Sequence, residues 1–142
     1  RLYRRLIDRD KIAQRVSFER DERRGPDLMG AWVVCQPGAD AAAVRDALYQ
    51  EIDAVGRDGV TTRELQKARN RVRARFTFGV QSAMQRAQRL AEYAMYFGDA
   101  DLLCHEMSHY EQVSADAIRR VAARYFAREN RTCLEIVPGG PK

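Results

Sequence analysis

Val60-Thr61-Thr62-Arg63-Glu64-Leu65-Gln66-Lys67-Ala68 is the stretch from which the fold is read. Thr61 with Glu64 three residues on is a capping box. The Thr side chain accepts from the backbone at 64 while the Glu reaches back to the backbone at 61, so two donors orphaned at a helix start are satisfied. Beyond it Leu65, Ala68, Val72, Phe76, Gly79, Ala83, Ala87, Leu90, Ala94 and Phe97 recur in steps of three or four without losing phase. The spacing predicts one helix over 61–97, roughly 50 Å long if unbroken. Gly79 is its weak point, where a kink or break is expected. The small residues in its middle predict close packing against a sheet or another helix.

Working towards the N-terminus, Asp40 can cap a helix near 40–56 that carries Val44, Leu48, Ile52 and Val55 on one side. Before it, Leu28 to Cys35 reads as a buried strand on the strength of Trp32 and the paired Val33 and Val34. Residues 13–20 alternate more loosely, with Val16 and Phe18 against Arg15, Ser17 and Glu19, and a turn over 21–27 would join the two strands as a hairpin. Residues 1–12 read as a short helix. Towards the C-terminus follow a helix near 99–112 (Leu103, Met107, Tyr110) and another opened by Ser114 and Asp116 (Ile118, Val121, Ala122, Tyr125). Cys133 to Val137 reads as a final strand. The breaks, Arg24-Gly25-Pro26-Asp27, Pro37-Gly38, Arg57-Asp58-Gly59, Gly98-Asp99 and Pro138-Gly139-Gly140-Pro141, punctuate one unit rather than link domains. The order α-β-β-α-α-α-α-β makes an α+β fold, an antiparallel sheet layer packed against several helices. Residues 1–138 are assigned to a single domain and 139–142 to a tail.

Composition bounds the rest. In 142 residues there are 25 basic and 20 acidic side chains, a net charge of +5, and three of the basic ones (Lys11, Lys67, Lys142) are lysine. Hydrophobic content of 45% and a mean hydropathy of −0.55 fit a soluble globular chain rather than a disordered one. No stretch approaches the ~18 apolar residues of a helical membrane span. The chain opens on Arg1 without an initiator Met or an apolar leader, so it reads as a piece of something longer. Cys35, Cys104 and Cys133 are too few for a disulfide framework and are expected to be small buried residues.

His105-Glu106-Met107-Ser108-His109 matches H-E-x-x-H. Two His at i and i+4 on a helix can both reach a zinc ion, with the Glu between them as general base for the metal-bound water. Against that reading, these are the only two histidines, the metzincin continuation is missing, and both fall opposite the Leu103/Met107/Tyr110 stripe, although Leu102 shares their side. Glu129, 20 residues downstream, could serve in principle as a third ligand. A chance match is the better reading, and no metal site is assigned; His105, Glu106 and His109 stand as the alternative. The run Arg63, Lys67, Arg69, Arg71, Arg73, Arg75 would suit nucleic acid only if it shared one face. At 100° per residue it flanks the apolar stripe on both sides, with no aromatics interleaved, which is a solvated helix surface. Gly59, Gly79 and Gly98 are isolated and form no phosphate loop, and no nucleophile motif is present.

The ordered set of residues resembles the pitrilysin/insulinase family of zinc peptidases, which includes the mitochondrial processing peptidases, in the later part of its C-terminal half. Arg1-Leu2-Tyr3-Arg4-Arg5-Leu6 looks like the family's S-R-L-[YF]-x-x-L helix, and Lys11-Ile12-Ala13-Gln14-Arg15-Val16-Ser17 is similar to the helix-to-strand passage after it. Pro37-Gly38-Ala39-Asp40, Gly59-Val60-Thr61 with Glu64-Leu65 and Lys67-Ala68, then Ser82, Arg86-Ala87 and Leu90, follow in the family's order, as do Gly98-Asp99, Val113-Ser114-Ala115-Asp116, Val121-Ala122, Tyr125-Phe126, Leu134 and Pro138. Order and spacing carry the resemblance, not any one piece.

The resemblance implies half of a clamshell-type metallopeptidase subunit, truncated. In the family, two related α+β halves close around an extended peptide, and the zinc motif H-x-x-E-H with a later Glu lies in the N-terminal half. This sequence has no H-x-x-E-H, so the fragment is expected to hold no cofactor and to be inactive alone, with zinc in the parent's N-terminal half. The implied partners are that catalytic half, or a paired peptidase subunit, and an extended peptide; nucleic acid is not among them. Active members often place an Arg and a Tyr seven residues apart on substrate; those positions fall on Ile7 and Gln14, which can do neither job. The parent then grips substrate differently or is a non-catalytic partner chain, as in the paired bacterial versions. The family leans towards the bacterial periplasm.

Overall fold

The structure, a computed structural model, describes residues 1–21 and 25–137. The tail 139–142, with Pro138, and Arg24 of the hairpin turn lie outside the described residues. The chain divides into two compact units, Arg1–Asp58 with Arg120–Lys142, and Gly59–Arg119.

The first unit is built on an antiparallel hairpin of β1 (Ala13–Asp21) and β2 (Leu28–Cys35). Val16 faces Val33 and Phe18 faces Ala31, while Ser17 faces Trp32 and Arg15 faces Val34. Because side chains alternate, the first two pairs share one sheet face and the last two the other. The inner face meets Leu6, which is 0% exposed, and Ala13 and Ala47 complete that cluster with Ile7, Ile12, Val16 and Val33 around it. Leu6 is delivered by a π-helical turn, Arg4–Arg9, where a regular helix was expected through residue 12. Helix α1 (Ala41–Asp58) starts where Asp40 accepts the Ala42 N–H at 3.0 Å and ends at Gly59, whose φ of 76° needs a residue without Cβ. Gly56 lets α1 approach the later residues of α5 (Ala115–Tyr125) so closely that a Cβ there would lie 3.1 Å from the Ala123 Cα. Phe18 and Phe126 meet edge to face, centroids 5.9 Å apart.

The second unit holds α2 (Thr62–Gly79), α3 (Ala83–Phe97) and α4 (Leu102–Gln112). The capping box forms as read: Thr61 donates its N–H to Glu64 Oε2 at 2.9 Å and its side chain accepts the Glu64 N–H at 3.2 Å. The single helix expected over 61–97 is two. The break falls directly after Gly79, and Ser82 caps the new helix by accepting the Gln85 N–H, while Arg86 donates to the freed carbonyls of Val80 and Gln81 at 3.0 and 2.9 Å. α3 ends on Gly98 in the left-handed region. Arg69 donates to the Val113 carbonyl at 2.9 Å and Arg73 pairs with Glu111, fastening α2 to the end of α4.

Four further expectations are corrected. Cys133–Val137 forms no strand; it runs without a ladder partner, and Ile136 is 81% exposed, so the sheet among the described residues has two strands. β2 is not buried: Trp32 is 63% exposed because its partner Ser17 lies on the outer face. Ala83, Ala87 and Ala94 of α3 are exposed rather than packed. The cysteines are free, Cys104 and Cys133 exposed and Cys35 half-buried.

Candidate functional site

The backbone departs from regularity in one short passage, and both positions implied by the family resemblance fall on it. Ile7 lies in the π-helical turn and packs against the Leu6 cluster. Lys11 follows with φ 53°, a left-handed residue that is not glycine. The register then slips between Ala13 and Arg15, so that Gln14 is the extra residue of a β-bulge. Gln14 is exposed, and its amide donates to Gln36 Oε1 at 3.4 Å. Strained and bulged backbone persists where the surroundings over-determine it, here by Ile12, whose N–H is taken by Leu6 and whose carbonyl takes the Gln36 N–H. Neither Ile7 nor Gln14 presents a charge or a phenol to a ligand.

Beside the bulge, the outer face of the hairpin forms a shallow groove of about 310 Å³ lined by Arg15, Ser17, Glu19, Trp32 and Val34. An aromatic and a branched apolar side chain lie on it between charges of both signs. Sequence reasoning missed this face by taking β2 as buried. The available signal was the polar Arg15, Ser17 and Glu19 across the ladder, which force whatever opposes them outwards.

His105 and His109 are both exposed on α4. Glu106, 100° further round, is turned inward: its side chain is 14% exposed and accepts from Arg89 at 3.5 Å. Arg89 also holds Glu92 at 3.2 Å and lies 5.7 Å from the centre of the Tyr93 ring. Burial and a hydrogen bond donated to Glu106 push the Tyr93 phenol up to about 12. The motif's carboxylate thus serves α3 while its imidazoles point elsewhere. Glu129 lies in the other unit, on the 3-10 turn Arg128–Asn130. Among the described residues no group of three His, Cys, Asp or Glu side chains could hold a metal ion. No helix of the described residues is long and apolar enough to cross a membrane.

No protein-family model and no curated protein sequence matches the chain. Solved structures do. A "putative zinc protease" from Bordetella pertussis Tohama I superposes with a TM-score of 0.80 at 23% identity, over 97% of this chain and 75% of that one. The "inactive peptidase domain of a putative zinc protease" from Bordetella parapertussis gives 0.84 at 23%, over 99% and 75%. A protease from Helicobacter pylori gives 0.75 at 19%, over 89% of this chain but 30% of its own. At these identities the likeness establishes the fold. The chain has the α+β fold of zinc-protease domains, one of which is described as inactive.

Proposed function

We propose that the chain is the later part of the non-catalytic C-terminal half of a zinc metallopeptidase of the pitrilysin/insulinase type, residues 1–138 forming one α+β piece and 139–142 its tail. The observation that carries this reading is the likeness, along nearly the whole chain, to an inactive peptidase domain. In this reading the reaction's zinc is held by an N-terminal catalytic half or by a paired subunit, in the bacterial periplasm. The present chain supplies one wall of the chamber. Each hairpin strand keeps one edge without a strand partner among the described residues, and such an edge takes an extended peptide through main-chain hydrogen bonds with little demand on its sequence. Trp32 and Val34 would meet alternate side chains of that peptide.

A second reading, an inactive partner chain, is favoured by Ile7 and Gln14, which leave the hairpin without the family's substrate-gripping Arg and Tyr. An H-x-x-E-H upstream in the same polypeptide decides for the enzyme and its absence for the partner. The test of the main reading is zinc content by mass spectrometry with hydrolysis of a fluorogenic peptide. The chain alone should hold no stoichiometric zinc and cleave nothing, with activity appearing only when the catalytic half is present. Stoichiometric zinc on the chain alone that disappears in His105→Ala would overturn it in favour of a site built on His105, Glu106 and His109.

A further inference from the structure

A second concavity, in the first unit, is lined by three arginines. It is a shallow concavity of about 330 Å³ lined by Arg45, Asp46, Tyr49, Arg128, Arg131 and Cys133. Arg131 is its fixed element. The side chain is 11% exposed. Its Nε donates to the Phe126 carbonyl at 2.9 Å, its Nη2 pairs with Asp53, and its guanidinium lies 4.8 Å from the centre of the Tyr49 ring. Nη1 is buried with no partner. A charged donor shut away from water without an acceptor is costly to the fold.

The neighbouring arginines are less committed. Arg45 shares Asp46 Oδ1 between Nε and Nη2, both at 3.3 Å. Arg128 is exposed and forms no ion pair among the described residues. Three guanidinium groups thus line the concavity with a single carboxylate, Asp46, while Asp53 pairs with Arg131. Tyr49, its hydroxyl hydrogen-bonded to Cys133, adds a phenol to the wall.

We propose that this concavity binds a small oxyanion of the carboxylate or phosphate class, gripped by Arg128 and Arg45, with Arg131 as a fixed charge in the wall behind them. The planar guanidinium fork matches both groups in two-point fashion, which a lysine could not do. The site is independent of the peptidase reading and stands or falls separately from it.

Cys133 lines the cavity and is exposed, so its alkylation reports occupancy, and Cys104, exposed on α4 in the other unit, is the internal control. The intact protein would be treated with iodoacetamide in citrate, in inorganic phosphate and in potassium chloride of equal ionic strength, with labelling resolved by site. At ten times the dissociation constant, labelling of Cys133 should slow by about tenfold while Cys104 is unchanged. Arg128→Gln, an exposed position whose change leaves Arg131 and its bonds in place, should abolish the protection. Protection by citrate alone assigns a carboxylate ligand, and by phosphate alone a phosphate ligand. Equal Cys133 rates in all three salts, or protection that survives Arg128→Gln, overturns the proposal.

Discussion

Glu106 lies between two exposed imidazoles, yet its own carboxylate is taken up by Arg89 and Tyr93 of α3. Tyr93 gives this arrangement a measurable signature. Burial is the largest cause of its raised pKa, followed by the hydrogen bond to Glu106 and that group's charge, and together they carry the phenol to about 12 from the ordinary 10.0. The folded state thus resists forming tyrosinate. The stabilisation is fully present below the unfolded pKa and is lost as pH climbs from about 10 towards about 12. Absorbance at the tyrosinate band should show one late-titrating phenol that Tyr93→Phe removes and that Glu106→Gln moves to lower pH. Tyr49 is also raised, by burial first, so the Tyr93→Phe difference curve is the one to read. A difference curve centred near the ordinary tyrosine range would show that Glu106 does not hold the phenol. Nothing in the H-E-x-x-H spacing announces this contact. The helical phase places the histidines away from the apolar stripe, but the partner on α3 is a tertiary fact, made across the turn at Gly98.

At the scale of elements, two glycines should respond to substitution with opposite sign. Gly56 faces the backbone of α5, where a Cβ would stand 3.1 Å from the Ala123 Cα and 3.2 Å from its N, atoms that cannot rotate away. Gly56→Val should therefore destabilise by about 1–3 kcal/mol through overpacking. Gly79 has nothing within 4 Å, so Gly79→Ala should stabilise by roughly 0.5–1 kcal/mol, since it only restricts the unfolded chain and favours helix. Urea unfolding of the two variants checks both; a stabilising Gly56→Val would mean that α1 and α5 are not in contact. These residues also show what was legible. Local signals such as the Thr61 capping box, Asp40 and the breaks at Gly59 and Gly98 act within one turn, and α1, the start of α2, the end of α3 and the hairpin were read close to their observed limits. The break at Gly79 was anticipated as a weak point, but periodicity alone could not separate a kink from the full stop that Ser82 and Arg86 make. Cys133–Val137 has strand composition and no strand, because β-structure needs a neighbour and composition does not supply one. Of the candidate site, the Lys11 turn, the bulge at Gln14 and the Arg131 cavity left no pattern in the sequence, since each depends on register or on residues far apart in the chain.

For the molecule as a whole, the governing feature is how much apolar side chain the two units leave uncovered. Among the described residues six hydrophobic ones are buried: Leu6, Ala13, Val44, Ala47, Leu103 and Ala122. Against them stand exposed Trp32 and Val34 on the hairpin, Met84, Met95 and Phe97 on α3, and Leu134, Ile136 and Val137 in the extended segment. A two-stranded sheet is marginal by itself, and contiguous exposed apolar surface marks sites where other protein sits. If the chain is the later part of one half of a peptidase clamshell, the earlier part of that half and the catalytic half are what cover α3 and the extended segment. The chain alone should then bind a hydrophobic dye and unfold at low denaturant. At a hundredfold excess of the catalytic half over its dissociation constant, stability should rise by about 2.7 kcal/mol. Trp32, the chain's single tryptophan, shows where that contact falls, because its emission shifts to shorter wavelength only if the outer hairpin face leaves water, and Trp32→Phe identifies that component in the mixture. A rise in stability without a Trp32 shift would place the contact on α3 or the extended segment and leave the hairpin facing the chamber, as its proposed role as a peptide wall requires. A Trp32 shift with peptide absent would put a protein interface on that face and remove it from the substrate's path.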